Sequence, residues 1–485
     1  MANPFPRILE LLGSLRDSSL TLAKADDVRV QQEAASILAV AEELYGFVPA
    51  KELPTEPTEP EPPVVEPSSE PLQSSTSCGG IEFFFAEPVA VRRSITGEPV
   101  VPPGTVVVDV LPASEIQESG RHLNGSMLNP APGMPRQGYD SRLFAQYSGG
   151  SYNAELNAAA RFPLTLRDGD SLVSVESAAQ PDQRPAVERA AVLTCGTPPA
   201  GAFLRPWATK GGRFYSWADA LARADEILPD IALPVEFPGL GGLAADLQQL
   251  WLDHVDTWAS RYLHPRTWMP DYGRAVADAL GIAVVAVLHR GHPLREQLLA
   301  GLLQRAIDYD GWATNALEPT TLGQRYMGAA AGHNNGRKVV VALAGLILGD
   351  EIGRAGLGNW SEEEQFFFVG PRELVKGQGY NPQHEGTPEW GTNPVRQPEK
   401  SEQAWGGDAY RQCCTMNALW GSAFALRVLP ELGLYWHGFD AFLAYAERYD
   451  KVESGLIVEG KAEPWQLAWS SWSKWALELE RGVRA

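Results

Sequence analysis

The sequence predicts a multidomain α+β protein: an N-terminal helical anchor, a stiff linker, a β-sandwich and then an α/α-toroid-like helical domain. Three observations predict it. A proline- and glutamate-rich stretch separates two small amphipathic segments from everything that follows. Short β-branched runs punctuated by Gly, Pro, Asp and Ser then fill the chain up to about residue 205. Beyond Pro206 the texture turns helical, and all fifteen tryptophans lie there. At 485 residues the chain is too long for one ordinary core. The expected boundaries are residues 1–49 for the anchor, 50–78 for the linker, 79–205 for the sandwich and 206–485 for the helical domain.

In the first segment Ile8, Leu11, Leu12 and Leu15, and later Ala34, Ile37, Leu38, Ala41 and Leu44, recur at three and four residues. Helices this small cannot hold a core alone, so they must dock on a partner or self-associate, and a homo-oligomer is expected. From Lys51 to Ser77 the sequence KELPTEPTEPEPPVVEPSSEPLQSSTS forbids helix, and its glutamates repel one another. The expectation is an extended, solvated spacer of roughly 3 Å per residue.

Strands are expected over Ile81 to Val91, Thr105 to Leu111, Leu143 to Tyr147, Phe162 to Leu166, Ser171 to Val175 and Ala190 to Thr194. The insertion from His122 to Arg142 is too polar and glycine-rich for strand. Its Asn124, Asn129, Gln137, Tyr139, Asp140 and Arg142 read either as a cleft lining or as an ordered surface loop. Helices are expected over Ser216 to Ile227, Leu243 to Tyr262, Asp271 to Leu288, Leu294 to Ile307, Lys338 to Gly349, Thr415 to Val428, Gly438 to Tyr449 and Pro464 to Arg481. An even number of helices, several of them apolar, suggests paired layers. Trp465, Trp469, Trp472 and Trp475 fall at helical spacing and read as a packing stripe.

A formal net charge of −20 argues against non-specific binding to nucleic acid or anionic membrane. The longest apolar runs fall short of a bilayer span, so no membrane insertion is expected. The opening MANPFPRILELLGSLRDSS lacks the continuous apolar segment of a signal peptide. Cys78, Cys195, Cys413 and Cys414 carry neither a disulfide pattern nor zinc spacing, and neither metal nor cofactor is expected.

The candidate chemistry lies in the helical half. From Ala331 to Asp350 the sequence AGHNNGRKVVVALAGLILGD joins a polar cluster, His333, Asn334, Asn335, Arg337 and Lys338, to an unrelieved apolar helix. Such a helix must be buried. Its polar start then opens onto a satisfied internal network or onto a cavity. Three further polar, aromatic loops accompany it: Asp308 to Trp312, Gly377 to Trp390 with His384 and Glu385, and Asp408 to Arg411. In a toroid such loops gather at one mouth, and Trp, Tyr, Asn, Arg and His suit a sugar chain.

Two reactions fit. Eliminative cleavage of a uronic-acid polymer would use Asn334, Asn335 or Arg337 to neutralise the carboxylate, His333 as base and Tyr326 or Tyr410 as acid. Hydrolysis would draw two carboxyls from Asp308, Asp310, Glu385 and Asp408. Lys338, Trp312, Tyr326, Asp310, Asn335, His384, Glu385 and Arg411 are the expected substrate-binding residues. Spacing leaves both reactions open.

In order, NGSMLNP (124–130), QGYDSR (137–142), PPAG (198–201), GHNNGRK (332–338) and YRQCCT (410–415) resemble a group of bacterial and phage proteins that look like α/α-toroid polysaccharide lyases with a preceding β-sandwich. The resemblance covers about Gly79 to Lys451. It implies polysaccharide as ligand and a site formed by His333, Asn334, Arg337 and Tyr410, although here the histidine precedes the asparagines. With the anchor and spacer, it implies a phage virion spike or fibre held to a virion protein through the N-terminal helices. It would bind, and in the active case cleave, host surface polysaccharide. The competing expectations are a non-catalytic structural or receptor-binding virion protein and a carbohydrate-active enzyme of the bacterial cytoplasm.

Overall fold

A strand buried on both faces needs apolar residues at successive positions, and Val187–Cys195, VERAAVLTC, has them. In the computed structural model the residues of this strand are divided between two separate buried clusters. The structure describes residues 70–131, 136–142, 152–179, 187–207, 213–233, 237–252, 273–315, 334–349, 352–353, 362–375, 380–390, 411–412 and 416–484. The expected N-terminal helices, most of the spacer, the strand Leu143 to Tyr147 and the second half of the helix Leu243 to Tyr262 lie outside the described residues.

The strands run β1 (Leu72–Cys78), β2 (Ile81–Ala90), β3 (Arg92–Arg93), β4 (Pro99–Val101), β5 (Val106–Leu111), β6 (Glu115–Ile116), β7 (His122–Leu123), β8 (Ser126–Leu128), β9 (Leu164–Thr165), β10 (Ser171–Ser177) and β11 (Val187–Cys195). One antiparallel sheet has the order β1-β2-β5-β9. A second has the order β3-β4-β11-β10-β8, antiparallel except between β4 and β11. Between them Ile81, Phe83, Phe85, Val107, Leu172 and Leu193 share one buried cluster. The alternate residues of the second sheet, among them Val100, Met127, Val173, Val175 and Val192, pack with the helices instead. Period-two alternation therefore sends each residue of β10 and β11 into one of two apolar interfaces.

Two expectations are corrected here. The strand β1 occupies part of the segment expected as solvated spacer: past Pro71 the proline run ends, and LQSSTSC can donate to a ladder. Strands β7 and β8 lie within the insertion expected to contain none. Asn124 and Asn129 make this possible by taking positive φ, 50° and 48°. Their side chains accept hydrogen bonds from the Ser177 and Ser171 amides, both at 2.8 Å. Gln137, Tyr139 and Asp140 of the same insertion are buried, and Asp140 pairs with Arg121 at 2.6 Å. These residues brace the second sheet and line no surface.

The helices are α1 (Trp217–Ile227), α2 (Gly241–Leu247), α3 (Gly273–Val287), α4 (Arg295–Asn315), α5 (Arg337–Leu348), α6 (Pro371–Val375), α7 (Trp420–Val428), α8 (Phe439–Val458), α9 (Pro464–Leu467) and α10 (Ser471–Arg484). A short antiparallel ribbon, β12 (Phe366–Phe368) with β13 (Pro388–Trp390), interrupts them. The chain is thus a mixed α+β protein with several antiparallel sheets. The all-round apolar α3 and α5 are buried along their length, as their composition requires. α3 meets α7 where Gly281 faces Gly421, close enough that a Cβ on Gly421 would stand 2.5 Å from the Gly281 carbonyl carbon.

Three further corrections concern the helices. Asp308 to Trp312, expected as a loop, is the fourth turn of α4. Gly311 is tolerated there because Pro206 packs against it, leaving 2.2 Å for any Cβ. The segment Gly377 to Trp390 includes strand β13. The single helix expected from Pro464 to Arg481 is broken between α9 and α10, where the Ser470 hydroxyl accepts from the Trp472 and Ser473 amides as a helix cap. Ser69–Ala485 form one compact unit.

Candidate functional site

The site is built on the start of α5. Gly336 takes φ +86° and lies so close to α3 that a Cβ would sit 2.1 Å from Ala277 Cα. The first amides of a helix lack intrahelical partners and favour a nearby anion. Here Glu363 supplies it: its Oε2 accepts from Gly336 N at 2.8 Å and Lys338 N at 3.2 Å. The buried Lys338 ammonium lies 3.2 Å from Glu364 Oε1 and donates to Gly353 O at 3.3 Å. Burial pushes the Lys338 pKa down, opposed by Glu364, Glu363 and Asp310. Arg337 is buried with its guanidinium 5.6 Å from the Tyr309 ring centroid, and Asn334 and Asn335 are buried beside it in the chain.

Asp310, on α4, is the half-buried member of this group. Its Oδ1 accepts from Gly353 N at 2.9 Å. Burial raises its pKa to about 6, although the Gly353 hydrogen bond and the Lys338 charge pull the other way. A carboxyl that titrates there can give or take a proton near neutrality.

A second group gathers around β13. Glu389 joins two cations, Arg411 at 3.1 Å and Arg448 at 2.5 Å. Arg411 also donates to the Tyr445 hydroxyl at 2.5 Å. Glu453, fully buried on α8, accepts both Gln412 Nε2 hydrogen bonds, at 3.0 and 2.9 Å. Burial raises its pKa to about 7, against the Gln412 bonds and the Arg411 charge. The ribbon links the two groups. Glu363 and Glu364 precede β12, Phe366 pairs with Trp390, and the Phe366 ring meets Phe442 and Tyr445 of α8 at 5.0 and 4.9 Å.

The structure therefore brings Asp310 together with Lys338 in a polar seam at the start of α5, and the 380–390 segment together with Arg411 in a second group around β13. Arg337, Lys338, Asn334, Asn335 and Arg411, expected to face substrate, are buried. Trp312 is also fully buried, edge-on to Trp207 at 5.2 Å and Tyr309 at 5.4 Å, and offers no face to a ligand. His384 accepts from the Asn381 amide through Nδ1 in a capping box, and Glu385 is exposed beside it. Asp308 belongs elsewhere, fully buried against Arg305 at 3.2 Å. His333, Tyr326, Tyr410 and Asp408 lie outside the described residues; His333 and Tyr410 are the chain neighbours of Asn334 and Arg411.

Sequence reasoning missed Glu363, Glu364, Glu389, Tyr445, Arg448 and Glu453. The run Glu362 to Glu364 reads as a solvated face, and nothing local marks it as a helix cap. Tyr445, Tyr449 and Glu453, however, recur every four residues on one face of α8, a polar stripe within an apolar pattern. Among the described residues no group of His, Cys, Asp and Glu is arranged to hold a metal ion, and no helix is long and apolar enough to cross a membrane. No family model, curated protein or solved structure matches the chain.

Proposed function

We propose that this chain is a virion-attached spike or fibre protein that binds a bacterial surface polysaccharide and cleaves it. In this reading the two sheets are a β-sandwich, and the helices around the polar seam are an α/α toroid. The observation that carries the catalytic part is Asp310, a half-buried carboxyl raised to about 6 beside the Lys338 ammonium. Elimination and hydrolysis both need a group that exchanges a proton near neutral pH, and carboxyls perturbed in this way concentrate at functional sites. The attachment part rests on the two amphipathic segments and the Glu/Pro spacer, which suit a protein carried on a particle.

The burial of Asn334, Arg337 and Arg411 favours a second reading, a binding protein whose central motif is structural. One assay separates them. The full chain is incubated with uronate-containing and neutral bacterial polysaccharides while ultraviolet absorbance of conjugated uronates and reducing ends are followed together. Cleavage gives rising reducing ends. With rising absorbance the reaction is elimination, and His333→Ala is expected to abolish both signals; without it the reaction is hydrolysis. Glycan affinity with neither signal is the result expected of the binding protein.

A further inference from the structure

Outside the seam, the segment around α9 holds an arrangement that the packing-stripe expectation does not explain. Trp465 is the one exposed tryptophan among the described residues, at 41% accessibility. Its segment is held firmly. Asn417 Nδ2 donates to Trp465 O at 3.4 Å, the Tyr449 hydroxyl to Gln466 O at 2.7 Å, and Trp420 Nε1 to Leu467 O at 2.7 Å. The Trp469 amide donates to Asn417 O at 2.9 Å, and a capping box between Glu463 and Gln466 closes the start of α9. Tyr449, Trp420 and Asn417 are buried, so the core itself fixes the backbone beneath the exposed indole.

The ring has a wall. Trp469 stands almost perpendicular to Trp465, with centroids 6.0 Å apart and planes at 87°. The Arg274 guanidinium, from the first turn of α3, covers Trp469 at 3.8 Å and lies 5.9 Å from the Trp465 centroid. A large apolar ring fixed in water carries a standing hydrophobic cost, and rigid aromatic anchors of this kind dominate binding surfaces. One indole is too small for a protein partner, since a specific interface buries about 800 Å² on each side. It matches a ligand that is apolar on its face and hydroxylated on its rim.

We propose that Trp465 is a stacking platform for a pyranose ring of a polysaccharide, with Trp469 walling the ring's edge and Arg274 positioning Trp469. The proposal rests on the reading of the ligand as a polysaccharide and adds a binding subsite outside the Asp310 seam. The test titrates the full chain with polygalacturonate, alginate and dextran, following tryptophan fluorescence and calorimetric heat. For a polymer that the wild type binds, Trp465→Ala is expected to weaken affinity about tenfold or more. Trp465→Phe, which keeps a flat ring, should retain most of it, and both variants should melt with the wild type because the side chain is exposed. Unchanged affinity in Trp465→Ala overturns the platform and leaves the polysaccharide reading standing. A wild type that binds none of the three polymers overturns both.

Discussion

Replacing Arg305 by methionine is expected to destabilise the folded chain by about 3–5 kcal/mol, the usual cost of removing one partner from a buried ionic group. Arg305, on α4, lies between two carboxylates, Asp308 at 3.2 Å and Glu98 at 3.7 Å, and all three side chains are at most 2% exposed. Glu98 leads into β4 and accepts a hydrogen bond from Ser94, so this cluster joins the second sheet to the helical layer. Without the guanidinium, two buried acids face each other in a medium that cannot solvate them. Burial raises Asp308 to about 7 from an ordinary value of 3.8, Arg305 opposes the shift and Glu98 adds to it.

The sign of the pH dependence follows. Between 3.8 and about 7 the unfolded chain has lost the Asp308 proton while the folded chain keeps it. The folded state binds more protons over that window, so this group's contribution is full below 3.8 and is lost as pH rises through about 7. Urea denaturation from pH 4 to pH 8 should show this slope in the wild type and its reduction in Asp308→Asn. Arg305→Met should lower the midpoint throughout and most strongly at pH 8. A midpoint in Arg305→Met equal to the wild type at pH 8 would show that the cluster is solvated and not a joint between layers.

Replacing Gly336 by alanine is expected to cost roughly 3 kcal/mol or more, from two sources that add. The residue sits at φ +86°, where an L side chain is strained, and the new Cβ would lie 2.1 Å from Ala277 Cα and 2.7 Å from Ala277 N. The obstacle is helical backbone, which cannot rotate aside. α5 must therefore move away from α3, drawing Gly336 N and Lys338 N from the Glu363 carboxylate. Thermal melting of Gly336→Ala beside Gly349→Ala separates the sources, because Gly349 also has positive φ, 114°, but no atom within 4 Å of its Cβ position. The first should lose far more than the second; equal losses would mean that backbone strain alone sets the cost.

Much of the architecture was legible because it follows from periodicity. The continuous apolar runs of α3 and α5 required burial, and Ser216 caps α1 through its hydroxyl as its residue type suggests. The long runs of β2, β5, β10 and β11 were also visible as strands. What could not be read was set by partners distant in the chain. Whether Lys338 meets water or Glu364 depends on a residue twenty-six positions away. Arg411 and Glu389 read as two polar loops until α8 brings Tyr445 and Arg448 between them. The turn of α4 holding Asp308 and Asp310 looked like a loop because its residues are polar, yet its acids are held by Arg305 and by the Gly353 amide. Polar residues were recognisable from sequence; whether they were exposed was not.

The most direct measurement of the proposed activity compares the wild-type chain with Asp310→Asn on a polysaccharide from the uronate and neutral panel, following reducing-end release from pH 5 to pH 8 with folding checked by circular dichroism. If Asp310 handles the proton, the wild type should release ends with a pH–rate limb near 6, and Asp310→Asn should fold and bind normally while turning over about a hundredfold or more slowly without that limb. Equal turnover in the folded Asp310→Asn variant would contradict Asp310 as the proton-handling group. No release by the wild type from any polymer of the panel would contradict cleavage itself.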